Sequence, residues 1–145
     1  MERILLVLDD TGRGEIAFQK LKKLAEDGLR GEVYILYIRE MEVPPFVPEE
    51  KELAAYHRLM TQSMKKLEGF KNQLEKAGLK VSDVSVVFGK YADRLLLVEK
   101  QIKPDLIVVG FKGGLLKRVI GGFFGKDPCE VLLKKSKASL LICRG

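Results

Sequence analysis

Asp105-Leu-Ile-Val-Val-Gly110-Phe-Lys-Gly113-Gly114-Leu-Leu-Lys-Arg-Val-Ile-Gly-Gly-Phe123-Phe124-Gly125 is the stretch whose reading decides the fold. Leu106, Ile107, Val108 and Val109 form a short apolar run with β-branched side chains, and the run stops at Gly110. Such a run, bounded by a turn signal, predicts a strand buried on both faces. Glycines follow at 110, 113, 114, 121, 122 and 125, interleaved with Lys112, Lys117, Arg118 and Lys126. Glycine lets backbone N–H groups approach a ligand with no Cβ in the way. Asp127-Pro128 then offers an N-cap followed by proline at the first helical position, where a helix should restart. A Gly-rich loop between a strand and a helix N-terminus is a natural phosphate cradle. A solvated surface loop accounts for the glycines equally well, because Gly-x-x-Gly is a weak pattern.

Outward from this stretch the chain alternates strands and helices. Arg3–Leu8 is a near-continuous apolar run that ends at Asp9-Asp10-Thr11-Gly12. Ala17, Leu21 and Leu24 recur at helical spacing, predicting a helix from Arg13 to Asp27 that Gly28 and Gly31 stop. Glu32–Ile38 reads as a second strand, and the prolines at 44, 45 and 48 mark a loop. From Glu49 a long helix carries Leu53, Tyr56, Met60, Leu67, Phe70 and Leu74 as one apolar stripe, with Gly78 at its C′ position. Val84–Phe88 is a third strand, Tyr91–Ile102 a third helix, Pro128–Lys135 a short helix and Leu140–Cys143 a last strand. This alternation implies one domain over residues 1–145 built on a parallel sheet with helices on both faces. Ligands of such sheets bind beyond the C-terminal strand ends, where the strand order reverses. Asp9 and Gly110 both fall there.

Composition narrows the classes. A chain of 145 residues with 46% hydrophobic and 32% charged content is expected to be globular. At this length it buries roughly 70% of its unfolded surface, so it needs no metal or disulfide to fold. No apolar run reaches membrane-span length, and the N-terminus lacks a signal-peptide layout, so a cytoplasmic location is expected. Cys129 and Cys143, with the single His57, offer no zinc or redox motif, and both thiols are expected to be buried and inert. The net charge of +6 resides in residues 110–145, which hold eight Lys and Arg against two acids. A local positive field of this kind favours an anion, and helix-dipole pairing explains part of it.

Taken in order, four segments resemble the universal stress protein family. Arg3-Ile-Leu-Leu-Val-Leu-Asp9-Asp10-Thr11 is similar to the family opening, and Phe88-Gly89-Lys90-Tyr91-Ala92 to its turn before the third helix. Pro104-Asp-Leu-Ile-Val-Val-Gly110 and Ser139-Leu-Leu-Ile-Cys-Arg144 resemble its last two strands. The resemblance covers nearly the whole chain. It implies a five-stranded parallel sheet in order 3-2-1-4-5, of the Rossmann-like, adenine nucleotide alpha hydrolase-like kind. It also implies a homodimer through the C-terminal strand and an adenine nucleotide, ATP with Mg²⁺ or Mn²⁺, at the strand ends. The contacts it implies are Leu8, Asp9, Thr11, Ile38, Val109, Gly110, Gly113, Gly114, Gly125 and Lys126, with the segment around Tyr37–Arg39 lining the adenosine pocket.

The chain departs from the family's Gly-x2-Gly-x9-Gly-Ser/Thr pattern. Gly110 and Gly113 are kept, but Phe123-Phe124 stands where Gly-Ser is expected. A two-residue insertion would put Gly125-Lys126 in its place. No Ser or Thr lies between Gly110 and Lys135, so a phosphate-binding hydroxyl is missing. One lost hydrogen bond to a charged group costs about 1.5–3 kcal/mol, a roughly ten- to hundredfold loss of affinity. Lys126 or Lys112 can compensate by charge. A dimeric scaffold without nucleotide stays open as the alternative.

Other classes fit less well. The Asp9-Asp10 pair also resembles response-regulator receivers, but strand three ends in Val87-Phe88-Gly89 with no phosphoacceptor Asp. A hydrolase needs a base near the phosphates, and the loop offers no acid before Asp127. No catalytic residue is expected, and at most slow ATP cleavage. Nucleic acid is not expected as a partner, since no aromatic RNA-binding pattern accompanies the basic residues.

Overall fold

The computed structural model describes residues 2–40, 50–111 and 128–145. Its elements alternate as the sequence implies: β1 (Arg3–Asp9), α1 (Arg13–Glu26), β2 (Glu32–Arg39), α2 (Glu50–Lys76), β3 (Lys80–Phe88), α3 (Tyr91–Ile102), β4 (Leu106–Phe111), α4 (Pro128–Lys135) and β5 (Ser139–Arg144). The strands form one parallel sheet in the order β3-β2-β1-β4-β5, with β1 central.

Strand β1 is apolar without alternation because it feeds two cores. Ile4, Leu6 and Leu8 pack with Phe18, Leu21, Leu67 and Leu74 beneath α1 and α2. Leu5 and Val7 face the other way, with Ile38, Tyr91, Leu95, Val109 and Leu132 beneath α3 and α4. Each fully buried Leu or Ile side chain contributes about 1.5–3 kcal/mol relative to exposure, so the central strand is the anchor of both layers.

The helix stops work as their residues require. Gly28 and Gly78 have φ of 116° and 108°, and each donates its N–H three residues back into the last turn of its helix. The long stripe on α2 is corrected in its first half. Leu67 and Leu74 are fully buried and the Phe70 ring lies 4.4 Å from that of Phe18, whereas Leu53 is 44% exposed. A helix of 27 residues runs about 40 Å, longer than the strands it covers, so its first turns have no strand beneath them, while Tyr56 already meets the Phe88 ring at 5.8 Å.

One buried carboxylate escaped the periodicity argument. Glu99 on α3 lies on the buried face, where its Oε1 accepts from Ser136 Oγ at 2.6 Å, Lys137 N at 2.9 Å and Ala138 N at 3.1 Å. It satisfies the turn that leaves α4 and so places β5 in the sheet. The expectation for the thiols holds for Cys143, which is buried, with desolvation raising its pKa. Cys129 is corrected: it is only partly buried, because the second residue of a short surface helix reaches the core with one side alone.

Candidate functional site

The sheet opens where its strand order reverses. Pairing of β1 with β2 runs to Asp9↔Ile38, and pairing of β4 with β5 runs to Phe111↔Arg144. The β1–β4 ladder covers only Ile4↔Leu106 to Leu6↔Val108, so Val7, Leu8 and Asp9 have no β4 partner in it. The strands part toward their C-terminal ends, which makes the crevice that this topology provides for a ligand.

Asp9 lies at the mouth of that crevice with its side chain 1% exposed. Its Oδ1 accepts from Thr11 N at 3.2 Å and from Thr11 Oγ1 at 2.8 Å, an Asx-type turn that starts the loop toward α1. Its Oδ2 accepts from Arg13 Nε in a charge-assisted hydrogen bond. The Arg13 guanidinium carbon lies 4.1 Å from the centre of the Tyr91 ring, a cation–π contact. Burial, the largest single influence, lowers the Arg13 pKa, but the hydrogen bond and charge of Asp9, with Tyr91 and Glu40, together outweigh it and raise the value. Burial pushes the Tyr91 phenol far above its ordinary range, against the opposing pull of the Arg13 cation. Glu40, just past β2, accepts the Tyr91 N–H at 3.1 Å and so caps α3 beside the same cation.

Glycines let this loop sit so close. A Cβ on Gly14 would lie 2.7 Å from both Asp9 N and Leu8 Cα, and one on Gly110 would overlap the carbonyl oxygen of Arg13. Gly110 is buried in β4, and the Arg13 backbone passes directly over it.

The structure brings together Asp9, Thr11, Ile38, Val109 and Gly110 of the expected contacts, with Ile38 and Val109 buried beside Tyr91. Leu8 points to the opposite face, under α1. So does Tyr37, which lines a cavity of about 170 Å³ with Leu8, Asp9, Asp10, Lys66 and Phe70. That is smaller than the ~300 Å³ at which ligand pockets usually begin. The adenosine wall expected around Tyr37–Arg39 is therefore split between the two faces of the sheet. Gly113, Gly114, Gly125 and Lys126, the Phe123-Phe124 pair, the Asp127 cap and the proline loop at 44–48 lie outside the described residues. Among the described residues no group of three His, Cys, Asp or Glu is placed to hold a metal, and no helix is long and apolar enough to cross a membrane.

Arg13, Glu40 and Tyr91 are the members of the site that sequence reasoning missed. Arg13 reads as an ordinary first residue of a helix and Tyr91 as another. The usable signal is a cation four residues after the strand-ending Asp9, since a loop that short folds back on its own strand.

A parallel sheet in this order, open between β1 and β4 and flanked by helices, matches the adenine nucleotide alpha hydrolase-like fold. The profile of the universal stress protein family matches residues 1–144, and the chain belongs to that family. The structure of MJ0577, a test case for structure-based assignment of biochemical function, is similar with a TM-score of 0.71 at 24% identity, covering 99% of this chain and 96% of that one. UspA from Lactobacillus plantarum is similar with a TM-score of 0.71 at 15% identity, covering 99% and 97%. A universal stress protein in complex with cAMP gives 0.65 at 18% identity, covering 97% and 95%. No curated protein sequence matches the chain.

Proposed function

We propose that this chain is a stress-response module that binds an adenine nucleotide weakly in the crevice between β1 and β4 and acts by binding rather than by catalysis. The observation that carries this reading is the parting of β1 from β4 around the buried Asp9. Proteins of the same fold hold cAMP, AMP and dAMP, which supports a nucleotide of that class here. The adenosine lies over the strand ends against Ile38 and Val109, with Asp9 as the nucleoside contact. The phosphates, with Mg²⁺ or Mn²⁺ when ATP is bound, face the loop bearing Gly113, Gly114, Gly125 and Lys126. Binding is weak because that loop has lysine and no hydroxyl. No step of hydrolysis is assigned: among the described residues, Asp9 and Glu40 at the crevice are both engaged in hydrogen bonds within the fold. Titration calorimetry with Mg-ATP should give a dissociation constant in the high-micromolar range, weakened at least tenfold by Gly113→Val, whose branched Cβ blocks close backbone approach. Equal heats from both chains, or none up to millimolar ATP, count against the nucleotide.

A cytoplasmic homodimer through β5 belongs to the same proposal. Leu140, Leu141 and Ile142 remain partly exposed on the edge strand, beside a groove of about 840 Å³ between β5 and α1. Pairing that edge with a second copy would cover it. Ile142→Pro should convert a dimer seen by sedimentation at micromolar concentration into a monomer, provided that residue's N–H pairs across the interface. A monomer for the unmodified chain removes the dimer, and a dimer that holds no nucleotide favours the scaffold reading.

A further inference from the structure

Arg13 crosses the crevice from one face of the sheet to the other. Its backbone lies over Gly110 on the α1 side of β4. Its Nε bonds to Asp9 at the end of β1, and its guanidinium stacks on Tyr91 at the start of α3. Ile38 and Val109, buried near the C-terminal ends of β2 and β4, belong to the same packed cluster as Tyr91. One residue thus joins both strands that border the crevice, its backbone over β4 and its side chain on β1, and it takes up the Asp9 oxygen that Thr11 leaves available. The guanidinium occupies the carboxylate oxygen and the aromatic face that a nucleoside at Asp9 would use.

We propose that Arg13 is a strap across the crevice: a nucleotide seats on Asp9 only when the guanidinium swings off Asp9 and Tyr91, so Arg13 sets the affinity of the site. This rests on the nucleotide reading above. The release is feasible because the Arg13 side chain keeps 19% exposure, so water can take the cation as it leaves. Thr11 continues to donate two hydrogen bonds to Asp9 and holds the carboxylate in place. A site open for only a fraction of the time binds with its intrinsic affinity reduced by that fraction. A charge-assisted bond together with a cation–π contact makes the closed fraction dominant.

The test compares the intact chain with Arg13→Ala and Arg13→Gln, titrated with Mg-ATP and, separately, with adenosine. Both variants should bind roughly ten- to a hundredfold more tightly, and the gain should appear with adenosine as well, which carries no phosphate. In the intact protein the Arg13 Nε–H resonance, identified by its loss in Arg13→Gln, should be shifted by the Tyr91 ring and protected from exchange. Saturation with Mg-ATP should remove that protection. If the intact chain binds and the variants bind equally or more weakly, the strap is overturned and the nucleotide reading stands. A resonance that stays protected at saturation overturns it too. A loss of affinity for ATP alone makes Arg13 a phosphate ligand, which also overturns it. If neither chain nor variant binds either probe up to millimolar concentration, both readings fall. Arg13→Gln keeps an amide donor within reach of Asp9 and serves where Arg13→Ala does not fold.

Discussion

Gly110→Ala is expected to destabilise the protein by about 3 kcal/mol or more, at the top of the range for overpacking. The added methyl would overlap the Arg13 carbonyl oxygen and come within 2.5 Å of its carbon. Both are backbone atoms held by the tight β1–α1 loop, whose other side rests on Gly14 against Leu8 and Asp9. Neither partner can rotate away as a side chain would. For a domain of this size the loss corresponds to roughly 6–12 °C in melting temperature. Gly69→Ala on α2 is the matched control: nothing lies within 4 Å of its Cβ, and helix propensity predicts a gain of about 0.5–1 kcal/mol. Urea unfolding of both variants checks the pair. A Gly110→Ala cost below about 1 kcal/mol would show that the loop does not press on β4. The result bears on function because Gly110 also opens the family's glycine pattern. Its requirement here is met by packing alone, before any phosphate is considered.

Asp9→Ala is expected to cost about 3 kcal/mol, the lower end for breaking a buried ion pair. The lower end applies because the Arg13 side chain keeps some contact with water. Removing the carboxylate strips Arg13 of its hydrogen-bonded counter-charge and leaves Thr11 N and Oγ1 without their acceptor. The double variant Asp9→Ala with Arg13→Met should recover about 1–2 kcal/mol, since no cation is then stranded against Tyr91. Asp9→Asn should cost less than Asp9→Ala, as its amide oxygen still serves Thr11. Chemical denaturation of the intact chain, Asp9→Ala, Arg13→Met and the double variant forms a double-mutant cycle. Strict additivity would show that the Asp9–Arg13 contact contributes nothing to folding.

These two outcomes separate what holds the crevice from what it binds. Gly14 and Gly110 bring the β1–α1 loop over the open end of the sheet, and Asp9 ties that loop to Arg13. The same contacts that stabilise the fold occupy the polar surface a ligand would use. A ligand there would have to exchange these internal hydrogen bonds for its own, which would cost affinity.

The helix boundaries were legible from apolar runs and glycine stops, and the strand order with β1 central was implied by the strand–helix alternation together with the family resemblance of four short motifs. Each of these signals is local or depends on the two-sided burial of a parallel strand. Such burial writes itself into consecutive apolar residues, as in Ile4, Leu5, Leu6 and Val7. Asp9 and Gly110 could be placed at the crevice for the same reason, because both lie at the C-terminal ends of their strands. The partners of these residues were not legible. Arg13, Tyr91 and Glu40 come from three separate segments, and Glu99 meets Ser136, Lys137 and Ala138 across more than thirty positions. Periodicity assigns a residue to a face of its own element; it carries no information on which charge or ring waits on the next one. The tertiary structure alone decided that Leu53 is left exposed on α2, that Glu99 serves the turn into β5, and that a single arginine joins both borders of the crevice. The physical reason is common to all three: side-chain pairing across a sheet end depends on where strands part and loops return, and those distances exist only once the chain is packed.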